Sequence, residues 1–441
     1  MHTLEQLKSG ELAGATRLDL SENLQHFPRE IFDLADSLEV LNLSGNQLSS
    51  LPDDLPRLHR LRILFCSDNA FTEVPAVVGR CDSLEMVGFK ANRIRTVAAE
   101  ALPPLLRWLI LTDNQLEKLP AEIGQCTRLQ KLMLAGNKLQ ALPETLANCR
   151  RLELLRIAAN QLPALPAWLL DMPRLSWLAF AGNPFSDAME AEILAQHPLP
   201  PVDRAQIALG EVLGQGASGV IHRAEWNQPG QSAKPMAAKL FKGSLTSDGL
   251  PHSEMAACIA AGAHANLIPV TGPLAECADT LPGLLMALID PSYQTLAGPP
   301  SLASCTRDCY TEERRFSADE ALRIASNVAS VTAHLHERGI LHGDLYAHNL
   351  LVNPQGHALL SDFGAASFFD STTDQGRALQ RIEARAFGCL LEEVLQRSDH
   401  RDTNPRLLNM AELMRQCMDE NTQARPDFVA LAQRFEQITV S

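Results

Sequence analysis

Apolar and polar positions in the first half of the chain repeat with a period of about 23 residues. Each copy carries an LxxLxL-type run that ends near an asparagine, as in LEVLNLSGN, LQKLMLAGN and LELLRIAAN. Seven steps separate the asparagines, six of 23 residues and one of 22, at Asn23, Asn46, Asn69, Asn92, Asn114, Asn137, Asn160 and Asn183. A single coil of this size cannot bury its own apolar face, so the period predicts a stack of coils, each with one short strand.

This array resembles the leucine-rich repeat family, which implies an α/β leucine-rich-repeat solenoid, or horseshoe. We place it at residues 1–200, as eight repeats followed by a cap, SDAMEAEILAQHPLP, that reads as an amphipathic helix. Each asparagine is expected to hydrogen-bond the turn backbone of neighbouring coils. Cys81, Cys126 and Cys149 occupy an apolar framework position, so we predict that they are small core residues and not metal ligands or redox centres.

Strand alternation predicts which side chains of the repeats face the concave surface. The apolar members of this set are Ile63, Phe65, Met86, Trp108, Ile110, Met133 and Trp177. An exposed apolar stripe with two tryptophans is typical of a contact surface. We therefore predict a protein partner or substrate on this face, unless other parts of the chain cover it. Residues 201–206 are predicted to be a stiff, Pro-rich linker.

The second half of the chain contains two polar motifs in a fixed order. Asp344 is followed five residues later by Asn349, and Asp362-Phe363-Gly364 follows an apolar run that suits a buried strand. Phosphoryl transfer needs a carboxylate to orient the attacking hydroxyl and oxygen ligands that fix Mg²⁺ on the nucleotide phosphates. A role in capping turns would explain each of these side chains separately. It would not explain their order along the chain.

The order HxD, Asn, DFG resembles the protein kinase family, which implies an α+β bilobal protein-kinase-like domain at residues 207–441 that uses ATP and Mg²⁺. The resemblance assigns Asp344 as catalytic base, Asn349 and Asp362 as metal ligands, and Lys239 with Glu254 as the phosphate-anchoring ion pair. It also places several residues around the nucleotide, namely the glycines of LGQGASGV and apolar residues near them in the fold: Leu213, Gly214, Gly216, Gly219, Ile221, Ala237 and Leu351. Met286 is a possible gatekeeper.

Several positions depart from the kinase pattern. Gly343 precedes Asp344, where many kinases have Arg. Because of Tyr346 and His348, this loop does not indicate whether the acceptor is Ser/Thr or Tyr. Glu383 replaces an Asp, and only 21 positions separate it from Asp362. No Ala-Pro-Glu motif lies between them, although its usual partner, Arg425, is present. We therefore predict no control by activation-loop phosphorylation and a reduced peptide platform, and hypothesise that the repeats choose the substrate.

Composition narrows the class of protein. A net charge of −14 disfavours nucleic acid and anionic membranes as main partners. Ten cysteines without CxxC pairs are typical of a reducing, cytoplasmic compartment, and no apolar run is long enough to span a membrane. The sequence thus predicts an ATP-dependent protein kinase, with Ser/Thr as the expected acceptor. Two alternatives stay open: an inactive pseudokinase scaffold, and a kinase-like enzyme acting on a small molecule.

Overall fold

The computed structural model describes residues 1–216, 218–243, 245–276 and 280–440. Contacts divide the chain into two compact units, Met1–Met172 and Pro173–Ser441. The second unit begins within the eighth repeat, earlier than the predicted domain boundary at residue 200. Among the described residues, no helix is both long enough and apolar enough to cross a bilayer.

The first unit is a stack of coils with one short parallel strand in most of them. Its elements are α1 (Leu4–Lys8), β1 (Arg17–Asp19), β2 (Val40–Asn42), β3 (Ile63–Phe65), β4 (Glu73–Val74), β5 (Met86–Gly88), β6 (Thr96–Val97), β7 (Trp108–Ile110), β8 (Lys131–Met133), β9 (Leu154–Arg156) and α2 (Ala167–Leu170). The main sheet runs β1-β2-β3-β5-β7-β8-β9, and β4 pairs with β6. Arg17 pairs with Val40 and Lys131 with Leu154, so the register advances by one repeat per strand.

Short 3₁₀ helices alternate with the strands of the first unit, and consecutive ones pack against each other from Leu55–Arg57 to Glu144–Asn148. They span Arg29–Leu34, Leu55–Arg57, Ala76–Arg80, Ala99–Ala101, Ala121–Gln125 and Glu144–Asn148. Pro28, Pro75, Pro120 and Pro143 act as N-caps of four of them. Proline suits this position because it cannot extend the preceding strand and holds φ near the value that a turn requires.

The repeat asparagines form a ladder between successive coils. Asn137 Nδ2 donates to Leu111 O of the preceding coil at 2.8 Å and to Leu134 O of its own coil at 2.9 Å, while its Oδ1 accepts from Leu116 N at 3.0 Å. Asn46, Asn69, Asn92, Asn114 and Asn160 bond in the same way. One side chain therefore satisfies backbone groups of two coils, as the sequence predicted.

The framework residues of the repeats form a continuous buried core. Leu41, Leu64, Leu109, Leu132 and Leu155 are at most 2% exposed. Cys81, Cys126 and Cys149 are also buried, and burial raises the pKa of the Cys81 thiol to about 11. These cysteines are core residues, as predicted, and none forms a disulfide.

The second unit combines an antiparallel sheet with a helical part. Its elements are β10 (Trp177–Ala179), α3 (Pro184–Gln196), β11 (Ile207–Gln215), β12 (Gly219–Trp226), β13 (Lys234–Phe241), α4 (Pro251–Ala260), β14 (Val270–Pro273), β15 (Gly283–Ala287), β16 (Gln294–Thr295), α5 (Ala318–Glu337), β17 (Ile340–Leu341), β18 (Leu350–Val352), β19 (Ala358–Leu360), β20 (Ser367–Phe368), α6 (Asp374–Gln396), α7 (Pro405–Cys417) and α8 (Phe428–Val440). The sheet order is β11-β12-β13-β15-β14. This sheet and the four helices α5–α8 are the two lobes that the sequence predicted.

Local sequence signals explain where the helices of the second unit begin. Ser317 Oγ accepts from Glu320 N at 3.2 Å and caps α5, as predicted. Thr373 Oγ1 accepts from Gly376 N at 3.0 Å and caps α6. Asn183 caps α3, so the last repeat asparagine starts the cap helix. The amphipathic α5 buries Leu322, Ile324, Val328 and Leu335 against its neighbours.

Candidate active site

The glycine-rich stretch lies at the turn of the β11–β12 hairpin. Gly216 N donates to Gly219 O at 3.0 Å across the turn; Ala217, between them, lies outside the described residues. A Cβ on Gly219 would lie 2.4 Å from Leu240 O of β13, whereas a Cβ on Gly214 or Gly216 would meet no described protein atom within 4 Å. Gly219 is thus required by close strand packing, while the backbone of the other two is open to a ligand.

Strand β13 and helix α4 bring Lys239 and Glu254 together. The Lys239 ammonium forms an ion pair with Glu254 Oε1, and both side chains are largely buried. Burial alone would lower the pKa of Lys239, but the charges of Glu254 and Asp362 outweigh it and raise the pKa above the usual value. The lysine is therefore held as a cation, pointing into a cavity that Glu254, Met286 and Asp362 also line.

The loop between β17 and β18 carries Asp344 and Asn349. Asn349 Nδ2 donates to Asp344 Oδ2 at 2.8 Å and to Asp344 O at 2.9 Å. The amide thereby fixes the carboxylate, and its own oxygen is turned away from Asp344. Asp344 is half-buried, while Asn349 is 4% exposed.

Asp362 follows β19 in a left-handed backbone conformation, with φ of 56°. An aspartate tolerates this region better than bulkier residues. Its Oδ1 accepts from Gly364 N at 3.1 Å, and the residue is exposed. Phe363 is buried and lies 5.1 Å from the His342 ring, so the phenylalanine anchors the turn that presents the carboxylate. The exposed Asp362 carboxylate and the Asn349 amide oxygen are oxygen donors that suit Mg²⁺.

Glu383 of α6 supports the loop from below. Its Oε1 accepts from Gly343 N at 2.7 Å, and its Oε2 accepts from His342 N at 3.3 Å and contacts His336 Nε2 at 2.7 Å. Burial alone would raise the pKa of Glu383, but these hydrogen bonds and the neighbouring histidines lower it below the usual value. The buried carboxylate therefore anchors the loop that carries Asp344.

The segment after β16 joins the site through a contact that sequence reasoning missed. Asp308, 7% exposed, accepts from His348 N at 3.0 Å and contacts His348 Nδ1 at 2.7 Å. Arg307 donates to Glu393 Oε1 of α6 at 2.6 Å. This segment was irregular in sequence, and nothing in it indicated a partner 40 residues away. It ties the loop that carries Asp344 to α6 on the side of His348.

The apolar residues predicted to surround the nucleotide lie on both lobes. Ala237 and Met286 are buried and belong to one apolar cluster, against which Ile221 packs. Leu351 is half-buried on β18, and Leu213 is 46% exposed on β11. The structure places Met286 in the cavity with Lys239. Leu213 and Ile221 both lie in the glycine hairpin.

The predicted concave surface of the repeats is only partly available. Phe65, Trp108 and Ile110 are half-buried. A Cβ on Gly88 would lie 2.7 Å from the Phe65 ring and 3.6 Å from Ile110 Cδ1, and Lys131 Nζ lies 4.3 Å from the centre of the Trp108 ring. The other apolar residues of the set are buried and correct the expectation of a continuous exposed stripe: Ile63, Met86, Met133 and Trp177.

Trp177 corrects the surface prediction most sharply, because it lies in the second unit. Its indole stacks on the Tyr346 ring with centroids 4.2 Å apart, and Nε1 donates to Leu345 O at 3.2 Å. It is 1% exposed. Strand alternation places Trp177 on the same face as the other repeats but cannot say what covers it. The covering element is the loop that carries Asp344.

Comparison with known proteins agrees with both parts of this architecture. A family model described as protein tyrosine and serine/threonine kinase matches residues 207–399. Models of the leucine-rich repeat match residues 37–58 and 104–162. A solved structure of an LRR protein from Leptospira interrogans is 24% identical, with a TM-score of 0.37, over 42% of this chain and 53% of that chain.

Curated relatives match parts of the chain. The serine/threonine-protein kinase AtPK1/AtPK6 of Arabidopsis thaliana is 41% identical over 58 residues, 13% of this chain and 12% of that protein. Fibroblast growth factor receptor 1 of Xenopus laevis is 26% identical over 199 residues, 42% of this chain and 24% of that protein. The chain thus spans only a small part of the length of these relatives. Residues 207–399 belong to the protein tyrosine and serine/threonine kinase family, in a chain that also carries leucine-rich repeats.

Proposed function

We propose that this chain is a protein kinase that transfers the γ-phosphate of ATP, with Mg²⁺, to serine or threonine hydroxyls of proteins. The observation that carries the proposal is the convergence of Lys239, Glu254 and Asp362, from three separate elements, on one cavity. The loop that carries Asp344 and Asn349 lies beside it, since Asn349 O accepts from Ser361 N, one residue before Asp362. Lys239 is paired with Glu254, Asn349 holds Asp344, and Asp362 lines the same cavity as Lys239. The serine/threonine assignment also draws on relatives such as AtPK1/AtPK6, which carries that activity in its name.

Each residue has a role that its geometry supports. The Asp344 carboxylate, fixed by Asn349, orients the acceptor hydroxyl and takes its proton. Lys239, kept charged by Glu254, binds nucleotide phosphates, and the open backbone of Gly214 and Gly216 covers them. Asn349 and Asp362 would hold Mg²⁺, which supplies charge neutralisation on the phosphates when it is bound. Positioning and electrostatics account for most of the catalysis that such a site offers.

The pseudokinase scaffold is the main alternative, and the site argues against it. The replacement of Asp by Glu383 was one reason to suspect lost activity. In the structure, however, Glu383 accepts from the backbone of Gly343 at 2.7 Å and so still anchors the loop. Burying a charge is costly unless hydrogen bonds compensate for it. A scaffold that transfers no phosphate has no need for a buried carboxylate that holds the loop carrying Asp344.

Transfer of label from radiolabelled ATP tests the proposal. The purified full chain should transfer phosphate to itself or to a generic protein substrate when Mg²⁺ is present. Lys239→Met and Asp344→Asn should each lose at least about 100-fold in rate, the range that general acid–base catalysis and phosphate positioning supply. Lys234→Met, an exposed lysine at the other end of β13, and the exposed Asp399→Asn are matched controls and should retain activity. Nucleotide binding without transfer under all these conditions would overturn the proposal.

We further propose that the repeats recognise a protein partner or substrate through the half-buried residues Phe65, Trp108 and Ile110. Apolar and aromatic groups of this kind are enriched at binding hot spots. Trp108→Ala and Ile110→Ala in the full chain should lower phosphorylation of the physiological target while leaving autophosphorylation unchanged. The exposed Lys138→Ala is the control. Equal losses in both reactions would contradict a role in recognition.

A further inference from the structure

The last repeat and its cap helix pack against the catalytic machinery within the second unit. Trp177 of β10 covers Tyr346 and donates to Leu345 O, so it contacts the two residues that follow Asp344. Tyr346 is 4% exposed, and its ring lies against the indole. The Tyr346 side chain is therefore packed against the last repeat.

Gly343 shows how closely the repeat approaches the loop. Its φ is 73°, and a Cβ there would lie 2.6 Å from Leu178 O of β10 and 2.5 Å from Ala365 O. No side chain fits between these carbonyls without displacing one of them. The arginine that many kinases carry at this position is therefore sterically excluded, and the β10 backbone occupies its place.

The same segment binds the short chain that follows Asp362. Ser367 Oγ accepts from Phe180 N at 2.9 Å and from Ala181 N at 3.1 Å. Ser367 itself lies on β20, which pairs with β17 at the start of the catalytic loop. The end of the repeat thus completes a small layer in which β17, β20 and the Phe180–Ala181 backbone hold one another.

Arg425 and Arg385 bind the backbone that leads into β10. Arg425 Nη2 donates to Pro173 O at 2.6 Å, and Arg385 Nε donates to Arg174 O at 3.1 Å. In sequence, Arg425 stood out because the Ala-Pro-Glu motif with which it would pair is missing. The structure gives it three carbonyl acceptors instead: Pro173 O at the turn before β10, Asp419 O and Arg381 O. This buried guanidinium is therefore not left without partners.

Helix α3 reaches the other lobe of the second unit. Glu190 Oε2 accepts from Ser253 Oγ at 2.9 Å. Ser253 lies in the first turn of α4, one residue before Glu254, and both Glu190 and Ser253 are buried. A carboxylate at a helix N-terminus is also favoured by the helix dipole. The cap helix therefore holds the end of the helix that positions Lys239.

We propose that residues 173–196 act in cis in place of the long activation segment of other kinases, which is short in this chain. They anchor the catalytic loop through Trp177 and the α4 helix through Glu190, so the site is assembled without phosphorylation. Glu190 and Ser253 are positioning residues, since they act through Glu254 and do not touch the reacting groups. The inference rests on the proposed kinase function, but its structural part can be measured separately.

A double-mutant cycle in the full chain tests the α4 contact. Glu190→Ala and Ser253→Ala should each lower kcat about tenfold, the effect of losing one hydrogen bond to a charged group. The double variant should lose no more than either single variant, and the KM for ATP should change less than twofold. Glu190→Gln should restore kcat, because its amide oxygen can still accept from Ser253. Glu192→Ala, at an exposed glutamate of the same helix, should behave as wild type.

Amide hydrogen exchange provides a readout that does not need activity. In Glu190→Ala, amides of α4 should exchange about tenfold faster, while those of α7 should keep their wild-type rates. Unchanged exchange in α4, or losses in kcat that add in the double variant, would overturn the inference. If the wild type transfers no phosphate, the proposed function fails, and the exchange result still decides whether residues 173–196 hold α4.

Discussion

Replacing Glu383 tests whether a buried carboxylate holds the catalytic loop. It is 2% exposed and makes two bonds of 2.7 Å, to Gly343 N and His336 Nε2, and a longer one of 3.3 Å to His342 N. Hydrogen bonds to charged groups contribute about 1.5–3 kcal/mol each. Glu383→Ala should therefore lower the free energy of unfolding by about 3–6 kcal/mol, a large share of the stability of one domain.

Two further variants at this position separate charge from reach. In Glu383→Gln the amide oxygen can still accept from Gly343 N. The amide nitrogen can donate to His336 Nε2 if the ring proton moves to Nδ1, which has no hydrogen-bond partner among the described residues. We expect a loss of about 1.5–3 kcal/mol. Glu383→Asp is the residue usual in kinases, but it is shorter by about 1.5 Å and should not bridge the gap from α6.

Urea unfolding and phosphate-transfer kinetics, measured on the same preparations, check these values. Glu436→Ala, at an exposed glutamate of α8, should stay within about 0.5 kcal/mol of wild type. The pKa of Glu383 is lowered in the folded state from 4.5, so its contribution is fully present above about pH 4.5 and is lost as the pH falls through the folded pKa. The stability gap between wild type and Glu383→Gln should therefore close in acid. An aspartate variant as stable and active as wild type would refute this reasoning.

Two other predictions concern the repeats and the glycine hairpin. Asn137→Ala leaves three backbone groups of two coils without their partner, so thermal unfolding should show a loss of about 3 kcal/mol, whereas Lys138→Ala should show almost none; a loss below 1 kcal/mol would contradict the ladder. Gly219→Ala should unfold at lower temperature, because its Cβ would lie 2.4 Å from Leu240 O, whereas Gly214→Ala meets no described protein atom within 4 Å. Gly214→Ala should keep its melting temperature and raise the KM for ATP, and the reverse pattern would be inconsistent with these contacts.

The repeat fold was predictable because its signal is redundant. The asparagine spacing of 23 residues is also the step in strand register, since Arg17 pairs with Val40 and Lys131 with Leu154. Each coil buries its apolar face against its neighbours in the same way. The pattern is therefore recognisable even where one copy deviates from it. The kinase residues were predictable for a different reason: their order along the chain restricts them to one loop and one turn.

Contacts between distant segments were not predictable. Alternation placed Trp177 on the face of its strand correctly, but its cover, Tyr346, lies far away in sequence. Asp308 gave no signal, because an aspartate in an irregular segment is ordinary until His348 is seen beside it at 2.7 Å. Such pairs depend on tertiary packing, which hydrophobic periodicity does not encode.

Three departures from the kinase pattern are each matched by a contact. This match distinguishes a site that has kept its function from one that is losing it. Gly343 lacks a side chain where Leu178 O lies 2.6 Å from its would-be Cβ. The missing Ala-Pro-Glu motif leaves Arg425 to donate to Pro173 O, and Glu383 keeps the loop backbone satisfied. Gradual loss of function would be expected to leave the buried Arg425 guanidinium and the Gly343 amide unpaired, because nothing would favour their replacement partners. Here two of the three compensating partners, Leu178 and Pro173, come from the last repeat. The last repeat and its cap helix are then structural parts of the proposed kinase domain. A kinase domain cut at residue 200 lacks β10 and α3, so it should lose phosphate-transfer activity.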